Sequence, residues 1–252
     1  MRLVRFFSAV VFCVASHSHA AGPAVLVKHN EQYQGFISLP RLSEVVSVVN
    51  KEPALYWPAA RLYKTDPEAL ATPEQQRQEL LITLANLKQI YLQDDDAELA
   101  ATTENLLQQV KSWVLAKQLL LALDPDKVRA KQALNPKLRA GQYLLLVTKR
   151  PDTVTVTGLT QNNKLPFLNA ADATEYLEQI KPLVGASSSF LYILPAGEAA
   201  ILAKTGLWNR QRQDIPAGAV LYVPFEQRLL PSEFEQVNQQ VIELLQHRVV
   251  LE

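Results

Sequence analysis

Cysteine and histidine are the residues that could give this 252-residue chain nucleophilic or metal chemistry, and it contains only one cysteine and four histidines. Cys13, His17 and His19 lie in the first twenty residues, whereas His29 and His247 lie near opposite ends of the remaining chain. Without the first twenty residues there is no thiolate or disulfide, and two histidines cannot form a three-histidine zinc site. With only these two histidines, a Ser-His-Asp triad is also improbable. We therefore predict no catalytic residue, no metal site and no cofactor.

Carboxylates keep one enzymatic alternative open, that of a carbohydrate-active enzyme. Such an enzyme needs two acidic side chains about 5 to 10 Å apart across a cleft, and no spacing in the sequence singles out a pair. Trp57 and Trp208 could stack against sugar rings, although aromatic residues of this kind are more often part of the core. They are candidate ligand-binding residues.

The first twenty residues have the pattern of a secretory signal peptide. Arg2 and Arg5 precede an apolar run over residues 6–15, and Ser18 and Ala20 place small residues three and one positions before a cleavage point. An uncleaved membrane anchor is the alternative, but about ten apolar residues are too few for a bilayer core, which needs roughly 20. We predict cleavage after Ala20 and a periplasmic protein.

The charge balance excludes nucleic acid as a partner. The chain has 25 basic and 25 acidic residues, and loss of Arg2 and Arg5 leaves 23 basic against 25 acidic ones. Proteins that bind nucleic acid concentrate a surplus of lysine and arginine. With 48% hydrophobic residues, the chain instead has the composition of one large globular domain or two small ones.

Strand patterns lie on both sides of a long helical block. The predicted elements outside this block are strands at residues 24–28, 34–39, 153–157, 190–194, 198–203 and 219–223, and helices at residues 41–50 and 172–180. Gly197 marks a hairpin turn between two of the strands. Lys149–Asp152 separates the two groups and is the predicted domain boundary.

The helical block predicts a long antiparallel hairpin over about residues 72–123. Residues 72–75 have the spacing of a capped helix start. After a short acidic turn, Asp95 and Glu98 have the spacing of a capping box at the start of a second helix. The three adjacent aspartates of that turn could suggest calcium, but calcium loops spread their ligands over about twelve residues. We interpret these aspartates as helix caps.

Two pairs of segments predict an internal repeat. Residues 138–145 and 215–222 each place an Ala-Gly pair before a strand, 77 positions apart, and residues 41–45 resemble 172–176 as a helix start, 131 positions apart. The difference means that the first copy contains over fifty extra residues, about the length of the hairpin. We predict two related β-rich units, the first interrupted by the hairpin, and expect the second to fold without it.

Six separated motifs carry a resemblance that covers almost the whole chain after residue 20. They are Tyr56–Ala60, Leu123–Arg129, Gly141–Tyr143, Lys149–Pro151, Gly206–Arg210 and Leu230–Pro231. Their order resembles that of the periplasmic GfcC/YjbG-like proteins of capsule and exopolysaccharide biosynthesis. The resemblance implies an α+β chain with two β-grasp domains, related in fold to ligand-binding domains of outer-membrane polysaccharide exporters.

The resemblance also implies a domain arrangement. Residues 1–20 would be the signal peptide, 21–150 a first β-grasp domain with the hairpin at about 72–123, 151–230 a second β-grasp domain, and 231–252 an amphipathic helix. The function implied is that of a non-catalytic periplasmic factor in capsule or exopolysaccharide assembly and export. Its partners would be polysaccharide or outer-membrane polysaccharide export proteins.

Arg129 is the one site residue that the resemblance carries over. It matches the arginine of an Asp-Pro-Asp-x-x-Arg stretch of the family and is expected in a pocket. Its planar guanidinium could pair with an anionic group of a glycan. Alternatively, it could hold the loop through a bidentate bond to a neighbouring carboxylate.

Residues 232–251 predict a C-terminal amphipathic helix roughly 30 Å long. This length would cross a bilayer core, but the acids and amides of the helix could not face lipid singly. A ring of copies around a water-filled lumen would satisfy them, which keeps a membrane-inserting subunit as an alternative function. We favour packing of Phe234, Val237, Val241 and Leu244 on protein, and expect no stable membrane insertion.

Overall fold

The computed structural model describes residues 23–49 and 54–250. Within this part the chain forms two five-stranded sheets and six α-helices, which confirms the predicted α+β class. The predicted signal peptide and its cleavage point lie outside the described residues.

The first sheet is built from the first half of the chain. Its strands are β1 (Val25–His29), β2 (Gln32–Phe36), β3 (Arg61–Lys64), β4 (Lys117–Leu119) and β5 (Gly141–Leu146), in the order β2-β1-β5-β3-β4. β1 and β5 run parallel, and the other neighbours are antiparallel. Helix α1 (Leu42–Val49) buries its apolar face in the core of this sheet, as its sequence pattern predicts.

The second sheet repeats this arrangement in the second half of the chain. Its strands are β6 (Thr153–Gly158), β7 (Lys164–Pro166), β8 (Phe190–Leu194), β9 (Ile201–Lys204) and β10 (Val220–Val223), in the order β7-β6-β10-β8-β9. β6 and β10 run parallel, and the other neighbours are antiparallel. Helix α5 (Ala173–Gln179) follows the second strand as α1 does, and Asp172 begins it with a capping box. The shared strand order is the predicted repeat.

A helical hairpin lies between β3 and β4. Helices α2 (Pro67–Gln93) and α3 (Ala97–Ser112) form it. The hairpin therefore begins before the predicted residue 72 and ends before the predicted residue 123. The predicted start at Pro73 is wrong because Asp66 and Pro67 supply a cap and a proline six residues earlier, and Pro73 lies inside α2. The α3 cap is likewise Asp96 and not the predicted Asp95, since Asp96 accepts from the Leu99 amide at 3.0 Å.

The hairpin packs on the second sheet. Its inward residues, among them Leu84, Leu87 and Leu106, belong to one buried cluster with residues of β6, β8 and β10. The Gln109 side chain also holds α3 to β6: its Oε1 accepts from the Thr157 hydroxyl at 2.8 Å, and its Nε2 donates to the Gly158 carbonyl at 2.8 Å. The second unit therefore has no core separate from the hairpin, contrary to the expectation from the repeat.

The C-terminal helix is shorter than predicted. Helix α6 covers Val237–Leu245, about 14 Å at 1.5 Å per residue, and Ser232–Phe234 is a separate 3₁₀ turn without a side-chain cap. The predicted helix over 231–252 is therefore interrupted at its start. The Asn238 side chain bonds both the amide and the carbonyl of Phe225 and so holds the first turn of α6 to the protein.

Packing of the C-terminal segment on the protein follows the sequence prediction. Phe234, Val237, Val241 and Leu244 are buried in the same cluster as the hairpin and the second sheet. In residues 23–49 and 54–250, no helix combines the length and the apolar character that a membrane span requires.

The end of the chain returns to the first sheet. The Ala116 amide donates to the His247 carbonyl at 2.8 Å, and the Val249 amide donates to the Val114 carbonyl at 2.8 Å. The residues after α6 thus pair with the segment that enters β4, and they join the second half of the molecule to the edge of the first sheet.

Candidate functional site

A cleft of about 490 Å³ lies between the two halves of the molecule. One wall consists of Trp57, Pro58, Ala60, residues 121–124 and Lys127, which lies in helix α4 (Pro125–Ala130). The other wall consists of residues 195–198 and 213–216, from loops of the second half, and of Ile201 in β9. Its volume is in the range of small-molecule binding sites.

Gly197 allows the two walls to approach each other. It lies in the turn between β8 and β9, where its backbone has a φ of +70°. A Cβ atom at this position would lie 2.6 Å from the carbonyl oxygen of Leu121 in the opposite wall. Only glycine combines this backbone conformation with so close a contact, and the turn therefore helps to shape the cleft.

Trp57 is the candidate residue that lines the cleft. It begins the 3₁₀ turn Trp57–Ala59, is half-buried, and packs against the core of the first sheet. The same side chain also contributes to the cleft wall. The core packing holds the indole in place, and its cleft side can contact the apolar face of a sugar ring.

Arg129 and Trp208 do not line this cleft. Arg129 lies in the last turn of α4 with its side chain 52% exposed, and its Nη1 is 3.8 Å from Oδ1 of Asp126. This distance is too long for the bidentate hydrogen bond of a loop tie. Trp208 is 81% exposed in the loop between β9 and β10, and it is therefore not a core residue.

Three acidic residues, Asp124, Glu198 and Asp214, line the cleft, and two of them have structural partners. Asp124 caps α4 by accepting from the amides of Asp126 and Lys127 at 2.9 and 3.1 Å. Asp214 pairs with Arg212 at 3.0 Å. The cleft lining contains no serine, cysteine or histidine. The lining residues can contact a bound molecule through an indole face, apolar contacts and hydrogen bonds.

The part of the chain that the structure describes contains no evident metal-binding site. There, no three histidine, cysteine, aspartate or glutamate side chains are grouped so that they could hold an ion. Two of the three aspartates of the hairpin turn serve the helices: Asp96 caps α3, and Asp94 ends α2.

Lys127 is a cleft residue that the sequence did not single out. It lies two positions before Arg129 in α4, and residues two apart point to different sides of a helix. Helical geometry could therefore have shown that Lys127 and Arg129 would not both face one site. The opposite wall could not be found in this way, because it depends on how the two halves pack.

Comparison with known proteins gives the family. The family model "Capsule biosynthesis GfcC, N-terminal" matches residues 24–150, and the model "Capsule biosynthesis GfcC C-terminal" matches residues 161–250. The chain is also 29% identical over 195 residues to the uncharacterized protein YjbG of Escherichia coli strain K12, and the alignment covers 77% of each chain. Since the two matches together cover most of the chain, the chain belongs to the GfcC family of capsule biosynthesis proteins.

Proposed function

We propose that this chain is a non-catalytic periplasmic factor in capsule or exopolysaccharide assembly and export, and that it binds polysaccharide or proteins of the export machinery. The observation that carries the proposal is the cleft between the halves, which has an indole face and polar groups but no serine, cysteine or histidine in its lining. A sugar ring has apolar C–H faces and polar edges, which suits such a lining. Membership of a capsule biosynthesis family supports the same role.

We also propose that both sheets are β-grasp units, the first over about residues 21–150 and the second over 151–230, with residues 231–252 as a C-terminal addition. The support is the shared order β2-β1-β5-β3-β4 and the helix that follows the second strand of each sheet. This assignment agrees with a ligand-binding role because it relates both units to the binding domains of polysaccharide exporters.

The direct test is incubation of the purified protein with capsular or exopolysaccharide from a strain that produces it. We expect the polymer to be bound and to keep its length, as measured by affinity electrophoresis and size-exclusion chromatography. Trp57→Ala should weaken binding several-fold by removing the indole face. Tyr33→Ala, at a residue that is 62% exposed and outside the cleft, is the matched control. Shortened polymer would show an enzyme instead.

Arg129 is proposed as a second contact, for an anionic group or a partner protein. Arg129→Ala and Arg129→Lys should both reduce polymer export in cells, since lysine keeps the charge but lacks the planar fork. Because the side chain is 52% exposed, the thermal midpoint should change by no more than about 2 °C. Lys131→Ala, at an exposed neighbouring position, is the control. A loss of export in proportion to stability would instead indicate a structural role. Trp208→Ala tests the third candidate in the same assay.

The periplasmic location is part of the proposal. The mature protein should begin at Ala21 in N-terminal sequencing and should be released by osmotic shock. Sedimentation with outer membranes that resists salt, and that is lost when residues 232–252 are removed, would contradict packing of the C-terminal segment and favour a membrane-inserting subunit.

A further inference from the structure

A second cleft, of about 430 Å³, lies beside the edge of the first sheet. Its lining combines apolar and basic side chains, among them Leu119, Tyr143, Lys64, Lys117, Lys137 and Arg139. Glu68 is the one acidic residue of the lining. This is a local surplus of positive charge in a chain that has as many acidic as basic residues.

Most of these cations have no carboxylate partner. Lys64 forms an ion pair with Asp66 at 3.3 Å. In the part of the chain that the structure describes, Lys117, Lys137 and Arg139 lie in no such pair. Unpaired cations around an apolar floor attract an anion, because the floor excludes water and lowers the local screening.

The register between β3 and β4 places two lysines opposite each other. Lys64 of β3 lies directly opposite Lys117 of β4, and like charges in this position destabilise a pair of strands. The corresponding pair β8–β9 of the second sheet joins Leu191 to Ala203 and Ile193 to Ile201, with no two like charges opposite each other. The same strand order therefore forms without a lysine pair.

Gly141 leaves room for the ion pair between Lys64 and Asp66 beside the cleft. Its φ is +142°, and a Cβ there would lie 2.6 Å from Oδ2 of Asp66 and 2.8 Å from Cε of Lys64. A side chain at residue 141 would displace the ion pair. Burial raises the pKa of Asp66, but its bonds to Lys64 and the Ala69 amide outweigh this and leave the pKa below its ordinary value. Asp66 therefore stays charged and holds Lys64.

We propose that this basic cleft binds the carboxylate-bearing sugar units of an acidic polysaccharide. The inference rests on the proposed function, since polysaccharide is the anionic partner that capsule biosynthesis offers. Lys117, Lys137 and Arg139 would pair with carboxylates, while Leu119 and Tyr143 would contact the apolar faces of the sugar rings. Alternation of charged and apolar contacts suits a chain of uronic acids better than a free anion.

The test is calorimetric titration of the full mature chain with a hexamer of β-1,4-linked glucuronic acid, and with the neutral glucose hexamer of the same linkage. The acidic hexamer should bind, and its affinity should fall with added salt. The neutral hexamer should bind at least about tenfold more weakly. Equal binding of the two probes, or no binding of the acidic one, would overturn the inference.

The double variant Lys117→Glu/Arg139→Glu locates the site. It should bind the acidic hexamer at least about tenfold more weakly than wild type. It should also keep its thermal midpoint, because Lys117→Glu replaces a like-charge pair with an opposite-charge pair. Lys181→Glu, the same change at an exposed lysine outside this cleft, is the control and should bind as wild type does.

Deletion of the gene separates this inference from the proposed function. If deletion leaves polymer output unchanged, the proposed function is wrong whatever the titrations show. If deletion reduces output but the double variant binds the acidic hexamer as tightly as wild type, only the basic cleft is wrong.

Discussion

The two sheets share a strand order but are covered differently. In the first sheet, β5 alternates between the buried Tyr143 and Leu145 and neighbours that are partly or fully exposed. In the second sheet, every residue of β10 (Val220–Val223) is buried. A strand that is buried on both faces needs a layer on each side. Helix α5 belongs to the second sheet's own repeat, and the additional cover comes from the hairpin and α6.

The difference shows that chain connectivity and packing assign the hairpin to different units. By connectivity it interrupts the first sheet, between β3 and β4. By packing, most of its buried apolar residues belong to the core of the second sheet. Strand order is thus a property of each repeat, whereas stability is a property of the two repeats together. This leads to an unusual expectation, that damage to an insert in one unit destabilises the other.

Removal of the hairpin should have the largest effect. Replacing residues 67–112 with a short Gly/Ser linker exposes the apolar residues of β10 and α6 that the helices cover. The loss should exceed the whole stability of a typical domain, about 5–15 kcal/mol, so the second sheet should unfold. Urea unfolding followed by near-UV circular dichroism measures this. A cooperative transition retained by residues 151–250 would show that the second unit folds without the hairpin, as the repeat predicts.

Single core substitutions should distinguish the two cores. Leu84→Ala should cost about 3 kcal/mol, because the side chain is fully buried between the hairpin and the second sheet. Ile82→Ala, on the exposed side of α2, should cost less than about 0.5 kcal/mol.

Hydrogen exchange of backbone amides shows where the loss occurs. Leu84→Ala should reduce the protection of β10 more than that of β5. Val46→Ala, in the core of the first sheet, should do the opposite. Equal loss of protection in both sheets after either change would mean that they unfold as one unit.

Asn238→Ala should cost about 2 kcal/mol. The Asn238 Oδ1 accepts from the Tyr222 hydroxyl at 3.0 Å and from the Phe225 amide at 2.9 Å, and its Nδ2 donates to the Phe225 carbonyl at 2.9 Å. Alanine leaves these buried groups without a partner. Gln239→Ala is the matched control because Gln239 is exposed on the same helix. Thermal unfolding measures both, and equal midpoints would show that this network contributes nothing to the cover of β10.

A lower pH should have the smallest effect on stability, through His247 at the junction between the two halves. Burial and the nearby Lys117 lower the pKa of His247, and its Nδ1 can accept from the Gln118 amide at 3.3 Å only when neutral. The unfolded chain takes up this proton near the ordinary pKa of about 6.5. Stability from His247 is therefore present above about pH 6.5 and is lost as the pH falls through the lower pKa of the folded state.

The urea midpoint between about pH 7 and pH 5 measures this loss. His247→Gln should remove most of the slope in that window. Lys117→Ala should reduce the slope, because one of the two causes of the lowered pKa is gone. A slope that is the same in wild type and His247→Gln would assign the pH dependence to other groups.

Local patterns were sufficient to predict most elements. Strand β8 has the predicted bounds 190–194, and α5 (Ala173–Gln179) lies within the predicted helix over residues 172–180. The start of α2 was placed wrongly because two cap-and-proline signals lie six residues apart, and Asp66 is the one that the helix uses. Such competition between local signals cannot be resolved from periodicity.

The sites were harder to predict than the elements. An amphipathic stripe shows that a face of the hairpin is buried, but not which sheet buries it. Trp57 could be named from its residue type, yet its cleft depends on loops near residues 121, 196 and 214 that only tertiary packing brings together. The opposition of Lys64 and Lys117 depends on strand register across the whole hairpin, which the sequence does not show.

Burial of the hairpin on the second sheet also sets an order of events during synthesis. The helices end at Ser112, whereas β10 begins more than a hundred residues later at Val220, and α6 follows it. At about 5–20 residues per second, the ribosome leaves the apolar stripe of the hairpin without its partner for several seconds. We therefore expect the nascent chain to depend on a chaperone over this interval, and a chain truncated before β10 to aggregate through that stripe.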